Sequence, residues 1–150
     1  MNSEARGDYN VDTDKSRLQL DFIHGFLKTA YWCEGIPRDV LERAIQNSDC
    51  FGIYLGDEQV GFARVVTDHA TFAYLADVFV DEAHRGKGLA KWLVDFILRQ
   101  DEYRGLRRWM LVTRDAQPLY AQAGFEYVDP TRVMQIRHPS PYVPLTDPSG

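Results

Sequence analysis

Residues 73–100, AYLADVFVDEAHRGKGLAKWLVDFILRQ, decide the fold. The stretch opens as an apolar run closing on Val78-Phe79-Val80 and passes through a basic, glycine-rich turn. It continues with Leu89, Leu93, Phe96 and Ile97 at i, i+4, i+7 and i+8, the stripe of a helix lying on a sheet. The turn itself is His84-Arg85-Gly86-Lys87-Gly88-Leu89-Ala90. Its glycines allow close backbone approach, and Arg85 and Lys87 bring positive charge to a point where helix-start amides lack partners. A phosphate is the group such a point holds best.

Upstream of that stretch, residues 1–8 are polar and read as flexible, and Tyr9-Asn10-Val11 opens a first strand. Leu18, Phe22, Ile23, Phe26, Leu27 and Ala30 follow a helical period, with Asp14 or Ser16 as caps. Pro37 suits the first turn of a second helix carrying Val40, Leu41, Ala44 and Ile45. Residues 50–55 and 59–67 read as a hairpin, and 71–80 as the next strand. In that strand, alternation puts Tyr74, Ala76, Val78 and Val80 on one face and Leu75, Asp77 and Phe79 on the other. Downstream, Trp109–Thr113 reads as a strand buried on both faces. Asp115 caps a short helix that Gly124 ends, and 125–128 and 132–136 read as a final strand pair. The order β-α-α-β-β-β-α-β-α-β-β predicts an α/β (α+β) domain. Its sheet is mixed, mostly antiparallel, of about six to seven strands with helices on both faces. The domain is expected over 9–138, with a proline-rich tail over 139–150.

At 150 residues the chain suits one domain with a sizeable core. A net charge of -5 argues against a nucleic-acid partner held by phosphate neutralisation. No apolar run reaches membrane-span length, and the polar N-terminus shows no secretory leader, so cytoplasmic residence is the expectation. Cys33 and Cys50 form no metal-binding or disulfide framework and read as reduced thiols; no metal is expected. Walker and dinucleotide loops fail as alternatives, since the Lys-Ser/Thr pair is missing and Lys91 stands at the third glycine position.

The turn Arg85-Gly86-Lys87-Gly88-Leu89-Ala90 matches the Gln/Arg-x-x-Gly-x-Gly/Ala signature of the GNAT superfamily of N-acetyltransferases. Arg114-Asp115-Ala116-Gln117-Pro118-Leu119-Tyr120-Ala121-Gln122-Ala123-Gly124-Phe125 is similar to that family's Asn-x-x-Ala-x-x-x-Tyr-x-x-x-Gly-Phe segment. Together with the element order, these residues resemble a small, single-domain, bacterial-type GNAT member. The resemblance implies the GNAT fold and acetyl-coenzyme A as cosubstrate. The backbone of Val78, Phe79 and Val80 would pair with the pantetheine amides, and Arg85, Gly86, Lys87, Gly88, Leu89, Ala90 and Lys91 would hold the diphosphate.

Tyr120 stands where the family has the tyrosine that protonates the leaving thiolate. Asp115 replaces the family's Asn and loses its donor, which weakens a direct cofactor role. Tyr74 occupies the place of a glutamate used as base in the histone-acetylating branch, leaving Asp77 as the nearest carboxylate on that strand. The family's acceptor site draws on the link between the first two helices, here with Tyr31, Trp32 and Glu34 as candidate substrate contacts. The implied activity is acetyl transfer to a primary amine of a small molecule or peptide by direct attack in a ternary complex. The alternative is a non-catalytic acyl-coenzyme A sensor of the same fold. Oligomeric state is left open, a homodimer included.

Overall fold

In the computed structural model, which describes residues 2–138 and 141–142, one six-stranded sheet carries the molecule. Its strands are β1 (Ser3–Arg6), β2 (Tyr9–Asp12), β3 (Asp49–Leu55), β4 (Glu58–Thr67), β5 (Phe72–Val80) and β6 (Arg108–Met110), neighbours in that order. All pairs are antiparallel except β5–β6, which is parallel. Helix α3 (Leu89–Leu98) makes the crossover that a parallel pair requires. Helices α1 (Leu20–Leu27) and α2 (Arg38–Gln46) precede β3, and α4 (Gln117–Gln122) follows β6. The mixed sheet with helices on both faces is the predicted architecture. No helix among the described residues is long and apolar enough to cross a membrane.

Two cores result, one per face. Leu89, Leu93, Phe96 and Ile97 of α3 pack on Phe51, Val65, Leu75 and Val80. On the other face Ile23 and Leu27 of α1 and Leu41 of α2 meet Phe62 and Phe79. There the rings of Phe26 and Phe79 stack at 3.9 Å and 7°. Each such fully buried side chain stabilises the fold by about 1.5–3 kcal/mol, so α3 is held chiefly by its stripe.

Several expectations require correction. Residues 3–6, read as part of a flexible arm, form β1 because the two-residue loop Gly7-Asp8 folds them back, with Arg6 opposite Tyr9. Helix α1 starts later than Leu18, since Asp14 caps a 3₁₀ turn over Lys15–Arg17 and Leu18 is extended. Helix α4 begins after Ala116, not Asp115, and the Ala116 amide donates instead to Thr113 Oγ1 at 3.1 Å. The strand expected at Trp109–Thr113 runs instead over Arg108–Met110 and is only half-buried, because its pairing with β5, its one neighbour in the sheet among the described residues, ends at Tyr74↔Met110. Residues 125–128 and 132–136 turn at Asp129–Arg132 but form no strand, and Tyr127, Met134 and Ile136 are exposed. An isolated hairpin is marginal, and three residues of β6 offer little edge to seat it. The proline-rich stretch 139–150, apart from 141–142, lies outside the described residues.

The alternation expected along β5 also breaks. Phe62 pairs with Phe79 but Arg64 pairs with Ala76, so β5 carries one extra residue in a bulge. Asp77 sits in that bulge with φ +57. Ala73 and Leu75 before it, and Val78 and Val80 after it, therefore all face α3, while Phe79 faces α1. Tyr74 and Asp77, predicted on opposite faces, lie on the same one: the Asp77 carboxylate is near enough to push the Tyr74 phenol up, after burial itself, with Arg64 opposing.

Candidate active site

The strand-to-helix turn has the geometry its glycines suggested. A 3₁₀ turn over Glu82–His84 leads to Gly86 at φ +80 and Gly88 at φ +74, the latter immediately preceding α3. Among the described residues no side chain caps α3, and no acidic residue stands in its first turn, so the partial positive charge of its first amides is uncompensated. A Cβ built on Gly86 would meet nothing within 4 Å, so the turn is open. Arg85 Nε donates to Val80 O at 3.1 Å, and Tyr9 Oη lies 2.8 Å from His84 Nδ1, fixing the turn from both sides. A cavity of about 190 Å³ opens there, lined by Val80, Arg85, Gly86, Gly88, Leu89 and, from α4, Leu119. The turn's backbone amides with Arg85 and Lys91 in the cavity wall, Lys91 also pairing with Asp95, and Lys87 between the two glycines form a donor set suited to a diphosphate.

Next to the turn, β5 presents an edge. Its pairing with β6 covers only Phe72↔Arg108, Ala73↔Trp109 and Tyr74↔Met110. Past the Asp77 bulge, the main chain of Val78 to Val80 keeps its β4 neighbour but has no β6 neighbour. An extended ligand with amides fits such an edge by strand addition.

The two diverging strands are bridged by the link between α1 and α2. Trp32 Nε1 donates to Asp77 Oδ1 at 2.8 Å. The adjacent Tyr31 takes the Arg114 amide on its hydroxyl at 3.1 Å, and the Arg114 guanidinium lies 3.8 Å from its ring centroid. This link thus spans from β5 to the segment following β6, with both aromatic rings about half exposed. Arg64 Nε donates to Asp77 Oδ2 at 2.9 Å, and its Nη1 donates to Ser48 Oγ at 3.0 Å. Asp77, with a side chain only 9% exposed, therefore has a hydrogen bond on each oxygen. Glu34 is exposed on the same link, and Asp115 is exposed beside Arg114.

Tyr120 projects from α4 into the α3-side core, with Phe125 edge-on at 5.9 Å. Burial, then the neighbouring Tyr31, pushes its phenol up to about 12. It keeps its proton at neutral pH and is available there as a proton donor, not as a base. The thiols are equally inert: burial, then Asp77, pushes Cys33 up to about 12, and burial pushes Cys50 up to about 11. Neither is the thiolate that covalent catalysis needs.

Amide cradle, open strand edge and buried phenol meet on the α3 side of the sheet: Val80, Leu89 and Leu119 line the cavity at the turn, and Tyr120 packs in the same core cluster as Val78 and Val80. The family model for the acetyltransferase (GNAT) domain matches residues 46–127, which contain all three. The chain belongs to the GNAT acetyltransferase family. A Gibberella zeae protein named as an acetyltransferase is 34% identical over 141 residues, covering 79% of this chain and 78% of that one. A GNAT-family acetyltransferase structure from Xanthomonas campestris pv. campestris is 43% identical, covers 89% of this chain and 96% of its own, and superposes with a TM-score of 0.86. A GNAT acetyltransferase from Elizabethkingia anophelis, solved with acetyl-CoA bound, shares the fold at a TM-score of 0.64 and 11% identity, covering 83% and 80% of the two chains. Like these relatives the chain is an acyltransferase.

Within this GNAT site, sequence reasoning overlooked the Asp77–Trp32 and Arg114–Tyr31 contacts. Their partners stand 45 and 83 residues apart, and no local pattern announces them. The Gly7-Asp8 pair was a legible hairpin signal for β1.

Proposed function

We propose that the chain moves the acetyl group of acetyl-coenzyme A to a primary amine of a small molecule or peptide, by direct attack in a ternary complex. The observation that carries this reading is the open amide turn before α3 beside a β5 edge unpaired with β6 at Val78 to Val80, with protonated Tyr120 packed in the same core cluster as Val78 and Val80. The acetyl-CoA bound to the Elizabethkingia anophelis relative supports the same cosubstrate. Gly86 to Lys91 hold the diphosphate with Arg85 and Lys87 beside them, and the main chain from Val78 to Val80, Phe79 included, receives the pantetheine amides. When bound, the thioester supplies the acetyl group, which the amine nitrogen takes as the carbon–sulfur bond breaks.

Tyr120 holds the proton that the departing sulfur takes. Tyr31, Trp32 and Glu34 form the acceptor wall, and the acceptor's own proton leaves to water at this exposed mouth, while the Tyr120 phenolate regains a proton from water. Both Asp77 oxygens already receive hydrogen bonds, so we assign Asp77 the positioning of Trp32 in place of proton acceptance. Asp115, exposed and outside the cap of α4, is left without a cofactor contact. Two free, protonated thiols accord with a reducing, cytoplasmic setting.

The test is thiol release from acetyl-coenzyme A across a panel of primary amines, amino acids and short peptides. At least one acceptor should raise the rate well above hydrolysis, and Tyr120→Phe should lower turnover by at least about tenfold with coenzyme A affinity nearly unchanged. No acceptor-dependent release from any member of the panel would sink the reading.

A further inference from the structure

The N-terminal strand does more than widen the sheet. Glu4 of β1 receives Trp92 Nε1 at 2.9 Å and Arg99 Nη2 at 3.2 Å, docking the strand along α3. Two residues on, and so on the same side of the strand, Arg6 reaches the start of that helix. Its Nη1 donates to Gly88 O at 3.3 Å, and both terminal nitrogens lie 3.6 Å from the point where a Cβ on Gly88 would stand. Between β1 and α3 lies a cavity of about 380 Å³ with Arg6, Gly88, Lys91, Trp92 and Asp95 in its walls. Gly88 and Lys91 also line the cavity of the phosphate turn, so the two meet at the first turn of α3.

The charges around this second cavity leave one cation unmatched. Asp95 is paired with Lys91 at 3.3 Å and Glu4 with Arg99, whereas Arg6 forms no ion pair among the described residues. A guanidinium presents five donors, of which one neutral carbonyl takes few. The helix dipole and an unmatched arginine beside the first turn both favour an anion.

We infer that Arg6 is a further phosphate-binding residue of this enzyme, pairing with a phosphate at the nucleotide end of coenzyme A where the two cavities meet. The inference rests on the coenzyme A reading above. β1 thereby becomes part of the cofactor site, delivering from the far edge of the sheet a charge that the turn does not contain.

Titration calorimetry of the full chain with coenzyme A and with 3′-dephospho-coenzyme A tests it. Arg6→Gln keeps a donor for Gly88 O and loses the charge; Arg6→Lys keeps the charge. Arg6→Gln should raise the Kd for coenzyme A about tenfold and leave the unliganded melting temperature unchanged, while Arg6→Lys stays within about threefold of wild type. An equal loss for both ligands assigns Arg6 to the diphosphate, and a loss for coenzyme A alone assigns it to the 3′-phosphate; either supports the inference. If Arg6→Gln also melts earlier, Arg6→Lys decides, and equal tenfold losses in the two variants would overturn the role. So would a Kd for Arg6→Gln within about twofold of wild type for both ligands. A wild-type chain that binds neither ligand would overturn the coenzyme A reading and Arg6's role with it.

Discussion

Asp77 is the residue on which several demands converge. Its backbone is left-handed at φ +57, a conformation Asp and Asn tolerate better than most side chains. Its carboxylate accepts from Trp32 on one side and Arg64 on the other, with the Arg64 side chain 18% exposed. Asp77→Asn keeps the turn geometry and an oxygen for Trp32 but leaves the Arg64 charge without its counterion. We expect a loss of about 3 kcal/mol in unfolding free energy, since breaking one half of a largely buried pair strands the other. Urea denaturation reads it as a lower midpoint at unchanged slope. A midpoint equal to wild type would mean that Ser48 and water alone satisfy Arg64.

Helix α3 with its preceding turn is the element through which sequence becomes site. Its apolar stripe fixes which face meets the sheet, and that rotation aims the first-turn amides. Gly88 makes the approach possible, for a Cβ there would have ordinary contacts at 3.6 Å but a backbone angle of +74°. Gly88→Ala is therefore a strain variant, not a clash. It should cost about 1 kcal/mol of stability and, by displacing the amides that follow, weaken coenzyme A binding severalfold. Melting temperatures with and without coenzyme A separate the two effects. An Ala variant whose ligand-induced shift equals that of wild type would free the amides from dependence on this residue.

Over the whole molecule, burial has pushed a set of weak acids upward. Cys33 moves from an ordinary 9.0 to about 12, Cys50 from 9.0 to about 11, and Tyr54 and Tyr120 from 10.0 to about 12. Burial is the leading cause in each case. Above about pH 9 the unfolded chain sheds protons that the folded chain retains, so the unfolded state binds fewer and stability falls as pH rises. The contribution is fully present below pH 9 and is spent as pH passes through the folded values of about 11 to 12. Melting temperature should decline steadily from pH 9 to 11. With both cysteines replaced by alanine the decline should begin about one pH unit later, at the onset of tyrosine ionisation. A flat profile to pH 11 would mean that the buried groups ionise in place.

Periodicity and short-range punctuation sufficed for the central elements. Four apolar residues in one stripe made α3, two glycines and two cations made the turn, and the spacing to Tyr120 and Gly124 marked α4, because each signal is local and repeats within a turn or two. The acetyltransferase family was legible for the same reason. Strand alternation failed at Asp77 because a bulge is decided by cross-strand register, which a single strand does not encode. The apolar runs after Gly124 carried a strand pattern without a strand, since pairing needs an edge that β6 is too short to provide. Arg6 at Gly88, Trp32 at Asp77 and Tyr31 at Arg114 belong wholly to the tertiary structure. Each joins residues 45 or more positions apart, and only chain packing around the sheet brings such partners within hydrogen-bond reach.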